Sequence, residues 1–292
     1  MVKFPSLQRF QKRTSAGLRW RAVFGITLLT VCLCCCLTLA QSAPQQVETK
    51  VGGTTLRIAA AADLQPVLPT ILKQFEMDTG IHAEATYQAS AALTMQIQNG
   101  APFDLFLSAD LNYPKRLIDG DLADTKGVEG AATDAPVTYA RGALVLWTRN
   151  AGRWAHPSLA TLRDPKLQRL AIANPERAPY GRAAMAALTS MKLLEALKPK
   201  LVTAENIAQA AQFAETGNAD AGLISMTSAQ TAHLKAIGTA FVVPKDLYPS
   251  IDQGAVIVSK TQVREQARKF LNYVLSAAIQ KEFAQSGLTP VK

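Results

Sequence analysis

Three stretches of this sequence place small residues between an apolar run and an amphipathic one, and each could hold an anion. They are Ala59-Ala60-Ala61-Ala62-Asp63, Gln88-Ala89-Ser90-Ala91-Ala92 and Asn174-Pro175-Glu176-Arg177-Ala178-Pro179-Tyr180-Gly181. A helix that starts at such a junction carries unsatisfied backbone N–H groups and a partial positive charge, and small side chains leave those donors reachable. An anion can then be bound without lysine or arginine. One junction alone reads as ordinary helix capping; three in one chain indicate a site. Catalytic chemistry finds less support. His82, His156 and His233 stand far apart, with no partner at metal-ligand spacing. There is no nucleophile elbow, phosphate-loop lysine or dinucleotide-binding glycine pattern. The carboxylates do not pair at a spacing that implies acid–base work. The expectation is a binding protein, with no enzyme activity and no cofactor.

The elements that must position these junctions follow from periodicity. Leu56–Ala62, Ile81–Tyr87 and Asp104–Ser108 read as strands. Between them, Pro66–Thr79 sets Val67, Leu68, Ile71, Leu72 and Phe75 at helical spacing, and Gly80 stops it. Ser90–Asn99 is a short helix closed by Gly100, and Tyr113–Ile118 another. Further on, Ala143–Thr148, Leu170–Ala173, Ala221–Ser225, Phe241–Val243 and Ala255–Ser259 read as strands. Gly181–Leu197 reads as one long helix, Thr203–Thr216 as a helix opened by a hydroxyl cap and closed by Gly217, and Val263–Ser286 as helical. Strands alternating with helices predict a largely parallel α/β architecture, whose ligands sit beyond the carboxyl ends of the strands.

The N-terminus is of a different kind. Lys3, Arg9, Lys12, Arg13, Arg19 and Arg21 precede an uncharged run, Ala22–Ala40, that ends in Thr38-Leu39-Ala40. Basic, apolar and small-residue segments in that order read as a secretory signal over 1–40. A retained membrane anchor is the alternative, since the run approaches the roughly 17–25 residues that span a bilayer. The polar segment 41–53 reads as a disordered lead-in. Six of the 31 basic residues and none of the 22 acidic ones precede Gln41, so the net charge falls from +9 to +3 without the leader. A near-neutral mature chain removes the case for nucleic acid. Cys32, Cys34, Cys35 and Cys36 all lie in the leader, so the mature chain has neither disulfides nor thiolate metal sites. With 48% apolar residues over the full sequence, the chain can bury a core without them.

Three segments together carry a family resemblance: AAAADL, YQASAALTMQIQNGAPFDLFLSAD and LAIANPERAPYGRAA. They resemble the periplasmic molybdate-binding proteins of ABC transporters, the stretch Gly100–Asp110 most specifically, and the likeness runs from about Leu56 to the closing GLTPVK. It implies a two-lobed type II periplasmic-binding-protein fold, each lobe a mostly parallel sheet flanked by helices, with the ligand in the interlobe cleft. The implied lobes are 54–138 plus 248–292 and 139–247, with crossings near Thr138 and Leu247. Also implied are a small oxyanion ligand (molybdate or tungstate), a membrane permease of an ABC importer as partner, a periplasmic location, and monomeric shuttling.

Carried over residue by residue, the resemblance puts the oxyanion on Ser90 through hydroxyl and amide, on Tyr180, and on Ile207 through its backbone amide. Ser225 stands where some members have a tyrosine, so its contact would be made on a shorter arm. Asp63 departs from the pattern, which has a neutral hydroxyl or amide there. A carboxylate about 4 Å from an anionic oxygen would be repelled by roughly 4 kcal/mol per pair of unit charges at an effective dielectric near 20. The expected resolution is that Asp63 turns back to cap its own helix. Otherwise it accepts a hydrogen bond from a protonated oxyanion such as phosphate or arsenate, or is itself protonated.

Overall fold

The computed structural model describes residues 55–132 and 134–291. The expected signal segment 1–40 and lead-in 41–53 lie outside the described residues. Among those described, no helix is long and apolar enough to cross a membrane.

In chain order the elements are β1 (Leu56–Ala61), α1 (Leu68–Thr79), β2 (Ala83–Gln88), α2 (Ser90–Gln98), β3 (Leu105–Ser108), α3 (Asn112–Asp119), β4 (Ala123–Asp124), β5 (Val137–Gly142) and β6 (Leu144–Arg149). Then come β7 (Leu170–Ala173), α4 (Pro179–Ser190), α5 (Leu194–Leu197), β8 (Leu201–Ala204), α6 (Ile207–Thr216), β9 (Ala221–Ser225), α7 (Met226–Ala229) and α8 (Ala232–Ile237). The chain closes with β10 (Gly238–Val242), β11 (Ile251–Val258), α9 (Arg264–Val274) and α10 (Ala277–Gln285).

These strands form two sheets. The first runs β2-β1-β3-β11-β4, with β5 also on β11; the second runs β10-β6-β9-β7-β8. Both are mixed rather than mostly parallel. β1 pairs parallel with β2 and β3, and β7 with β8 and β9, while β11 and β6 run antiparallel to every neighbour. The antiparallel members are the ones that carry the chain from one sheet to the other and back. The first crossing falls after Gly142 rather than near Thr138, because Val137–Gly142 still pairs with β11. The return falls between Val242 and Ile251.

Period-two alternation covers both faces of the first sheet. Ile58, Ala60, Leu105, Leu107, Ala255 and Ile257 meet Ile71, Phe75, Phe270 and Phe283 on one face. Ala59, Phe106, Val256 and Val258 meet Leu93, Ile97, Tyr113 and Leu117 on the other. In the second sheet Leu144, Leu146, Ile172 and Leu223 pack with the alanine-rich α4 and α6, whose small side chains permit close approach. α1 ends as its sequence predicts, at Gly80 with φ 70°, whose N–H donates to the Glu76 carbonyl.

Two expected helices differ. The long one, Gly181–Leu197, breaks at Lys192, which takes φ 58° and leaves α5 as a separate turn. The one expected to open at Thr203 opens at Asn206, whose side chain accepts from the Gln209 N–H. Thr203 lies in β8, paired with Ile172.

Candidate anion site between the two sheets

Helix starts from both sheets converge on one point. β1 runs into a single 3-10 turn, Ala62–Leu64; β2 runs through Ala89 into Ser90; β7 leads through Asn174–Ala178 to Pro179; and β8 leads through Asn206 to Ile207. Residues of all four junctions line one cavity: Ala61, Ala62, Asp63, Gln88, Ala89, Ser90, Ala109, Ala178, Pro179, Tyr180, Asn206 and Ile207. The space they enclose is small, about 10 Å³ for the centre of a water-sized sphere. Three of the helices that begin here, α2, α4 and α6, are at least nine residues long, so each brings a developed dipole. Pro179 has no N–H, so the first donor of α4 is that of Tyr180. No lysine or arginine lines the cavity. Among the described residues, no His, Cys, Asp and Glu group could hold a metal ion.

The structure brings four of the five expected residues together. Ser90 is the first residue of α2, and its Oγ accepts from the Ala109 N–H at 3.1 Å, which leaves its hydrogen to donate. Ile207, the first residue of α6, has an N–H with no partner inside its own helix. Tyr180 is buried beside Gly142 and Gly181, two positions where no side chain fits. A Cβ on Gly142 would stand 2.2 Å from the Tyr180 hydroxyl, and one on Gly181 would stand 2.3 Å from the Ala173 carbonyl oxygen. Ser225 does not line the cavity. It ends β9 and caps α7, accepting from the Ser228 N–H and sharing hydrogen bonds with the Thr227 and Ser228 hydroxyls. The three histidines play no part: His82 pairs with Glu76, His233 with Glu215, and His156 is exposed.

Asp63 corrects the expectation that it caps its own helix. No side-chain cap bond is made at that turn. Instead Asp63 Oδ2 accepts from the Tyr180 hydroxyl at 3.1 Å and from Gln253 Nε2. Its other oxygen, Oδ1, has no partner among the described residues, and neither has Gln253 Oε1. Burial pushes the Asp63 carboxyl up to about 6, held back by the hydrogen bonds from Gln253 and Tyr180 and, least, by its own backbone N–H. Burial, then the charge of Asp63, pushes the Tyr180 hydroxyl well above its ordinary value, so it is a neutral donor. Gln253 went unnoticed in the sequence. Its signal is a polar residue, fully buried, at the head of the apolar run of β11.

Further contacts tie the lobes together around the cavity. The Ala91 N–H donates to the Arg177 carbonyl at 3.1 Å, the Thr227 hydroxyl to the Asp63 carbonyl at 2.7 Å, and the Tyr113 hydroxyl to the Glu176 carbonyl at 3.4 Å. Arg182 of α4 pairs with Asp110, which follows β3, and its guanidinium lies 5.3 Å over the Tyr113 ring. The described form is closed.

Two mixed α/β lobes, joined by crossing strands and meeting around a cavity that no lysine or arginine lines, define a bilobal solute-binding protein. The chain belongs to the bacterial extracellular solute-binding protein family, whose model matches residues 56–289. Among its relatives is the molybdate-binding protein ModA of Azotobacter vinelandii, 37% identical over 75% of this chain and 83% of that protein. ModA of Rhodobacter capsulatus is 35% identical over 74% and 81%. A putative ABC transporter substrate-binding lipoprotein of Bacillus subtilis is 31% identical over 80% and 86%. The solved structure of the A. vinelandii periplasmic molybdate-binding protein superposes with a TM-score of 0.74 at 28% identity, covering 81% of this chain and all of that one.

Proposed function

We propose that this protein captures a tetrahedral oxyanion, molybdate or tungstate, outside the cytoplasm and hands it to the permease of an ABC importer. The observation that carries this reading is the meeting of three helix N-termini, the Tyr180 N–H first among the donors of α4, with the Ser90 hydroxyl at one cavity that no lysine or arginine lines. Neutral donors around a dehydrated anion spread its charge, and lobe closure excludes water from it. Ser90, Tyr180 and Ile207 are the proposed donors, and Asp63 is the neighbour that sets the charge tolerated. The names of the A. vinelandii and R. capsulatus relatives support molybdate, and that of the B. subtilis relative supports delivery to an ABC transporter. The leader, read as a cleaved signal, supports a periplasmic location, and a shuttle of this kind works as a monomer without a cofactor and without turning its ligand over.

The test is a thermal-shift comparison of molybdate, tungstate, sulfate and phosphate. A ligand at about 1,000 times its Kd stabilises by about 4 kcal/mol, several degrees for a chain of this length. Molybdate and tungstate should both produce that shift. Sulfate or phosphate shifting the protein while molybdate does not would overturn the reading.

A further inference from the structure

Given that the cavity takes an oxyanion, we propose that the anion enters it together with one proton, shared between Asp63 Oδ1 and a ligand oxygen. Asp63 is then a specificity-determining residue that couples loading to pH.

The argument is one of unmatched acceptors. Asp63 is fully buried and lines the cavity. Both side chains that donate to it, Tyr180 and Gln253, go to Oδ2, and no other residue donates to Oδ1. The second bare buried atom, Gln253 Oε1, is also an acceptor. An unprotonated oxyanion offers only acceptors, so it cannot satisfy either atom; a hydrogen between the carboxyl and the anion satisfies one of them and removes a charge. No residue lining the cavity supplies a cation in its place. Arg182, the guanidinium at the cleft, is already paired with Asp110. Burial already draws the Asp63 carboxyl toward its neutral form before any ligand arrives.

The other titratable groups around Asp63 do not supply this proton. Tyr180, Tyr139 and Tyr248 all have hydroxyls raised above their ordinary value, chiefly by burial, and stay neutral. On β2, Tyr87 is raised to about 12 by burial, and Glu84 is exposed four residues before the cavity end, roughly 13 Å along the strand. On α6, Glu215 sits eight residues past Ile207, about 12 Å along the axis, where it bonds His233. α7 carries no titratable side chain. Asp110 is held in its pair with Arg182.

Calorimetric titration with sodium molybdate, from pH 5 to 8 and in pairs of buffers with different ionisation enthalpies, counts the protons directly. The wild-type protein should take up close to one proton per molybdate at pH 8 and progressively less toward pH 5. Its Kd should rise about tenfold per pH unit above about pH 6. Asp63→Asn, nearly the same shape, should bind with no proton uptake and a Kd that ignores pH. Molybdate binding by the wild type with no proton uptake at pH 8 would overturn the inference and leave the proposed function standing. So would an Asp63→Asn protein that keeps the wild-type pH slope. A wild type that binds no molybdate at any pH would overturn the proposed function itself. The wild-type proton count needs no variant, so the inference stays testable even if Asp63→Asn does not fold.

Discussion

The Tyr180 hydroxyl donates to Asp63 Oδ2 at 3.1 Å, joining α4 of one lobe to the turn after β1 of the other. Both side chains are buried, so the bond favours this arrangement of the lobes more strongly than a surface contact would.

The first consequence is a pH-dependent stability in the unliganded protein. Asp63 is raised from 3.8 to about 6 in the folded chain, first by burial. Between those values the folded state holds a proton that the unfolded chain has released. Stability from this group is therefore full below about pH 4 and is lost as pH rises toward 6, by about 3 kcal/mol in all. Asp124 is desolvated but held below the usual range by Arg264, and it acts in the opposite direction only at lower pH. Melting temperatures of the ligand-free protein should fall across pH 4–6, and Asp63→Asn should flatten that fall.

Ser90→Ala removes a hydroxyl that faces two ways. Its oxygen satisfies the buried Ala109 N–H, and its hydrogen is the proposed donor to the anion. Binding should weaken by about 1–3 kcal/mol, and the orphaned amide should cost about 1 kcal/mol or more of stability. Calorimetry and denaturant unfolding on the one variant read the two effects separately.

Gly142→Ala tests the close approach at the first crossing. The new methyl would stand 2.2 Å from the Tyr180 hydroxyl and 2.9 Å from its ring carbon, so the ring must move off Asp63. Overpacking of this kind destabilises by about 1–3 kcal/mol. The tyrosine hydroxyl signal should shift with it in nuclear magnetic resonance spectra.

Arg182→Ala opens the ion pair at the cleft. Its side chain is 40% exposed and that of Asp110 is 12%, so the pair contributes at most about 1 kcal/mol. Oxyanion release should quicken by up to about fivefold in stopped-flow experiments, with little change in the association rate.

Much of this architecture could be read from local pattern. The apolar spacing of Leu68, Ile71, Leu72 and Phe75 places α1, and Gly80 ends it. The alternation across β1 and β3 marks a sheet covered on both faces. The small-residue junctions are legible because helix starts obey local rules. What escaped is non-local. Val137–Gly142 contains Arg141 and ends in glycine, and becomes a strand only because β11 accepts it. Leu201–Ala204 is four residues long and owes its extended form to β7. A local rule assigned Asp63 to cap its own turn, but Tyr180 and Gln253, 117 and 190 residues away, hold it instead. Ser225 aligned with a binding position and is spent on capping α7.

The central claim is that one oxyanion sits where the junctions of both lobes meet. Crystals grown with molybdate, measured at the molybdenum absorption edge, locate the metal of that oxyanion without any assumption about the protein. The account predicts a single anomalous peak in the cavity, within hydrogen-bond reach of Ser90, Tyr180 and Ile207 through the anion's oxygens. A peak elsewhere on the molecule, with this cavity empty, would contradict it.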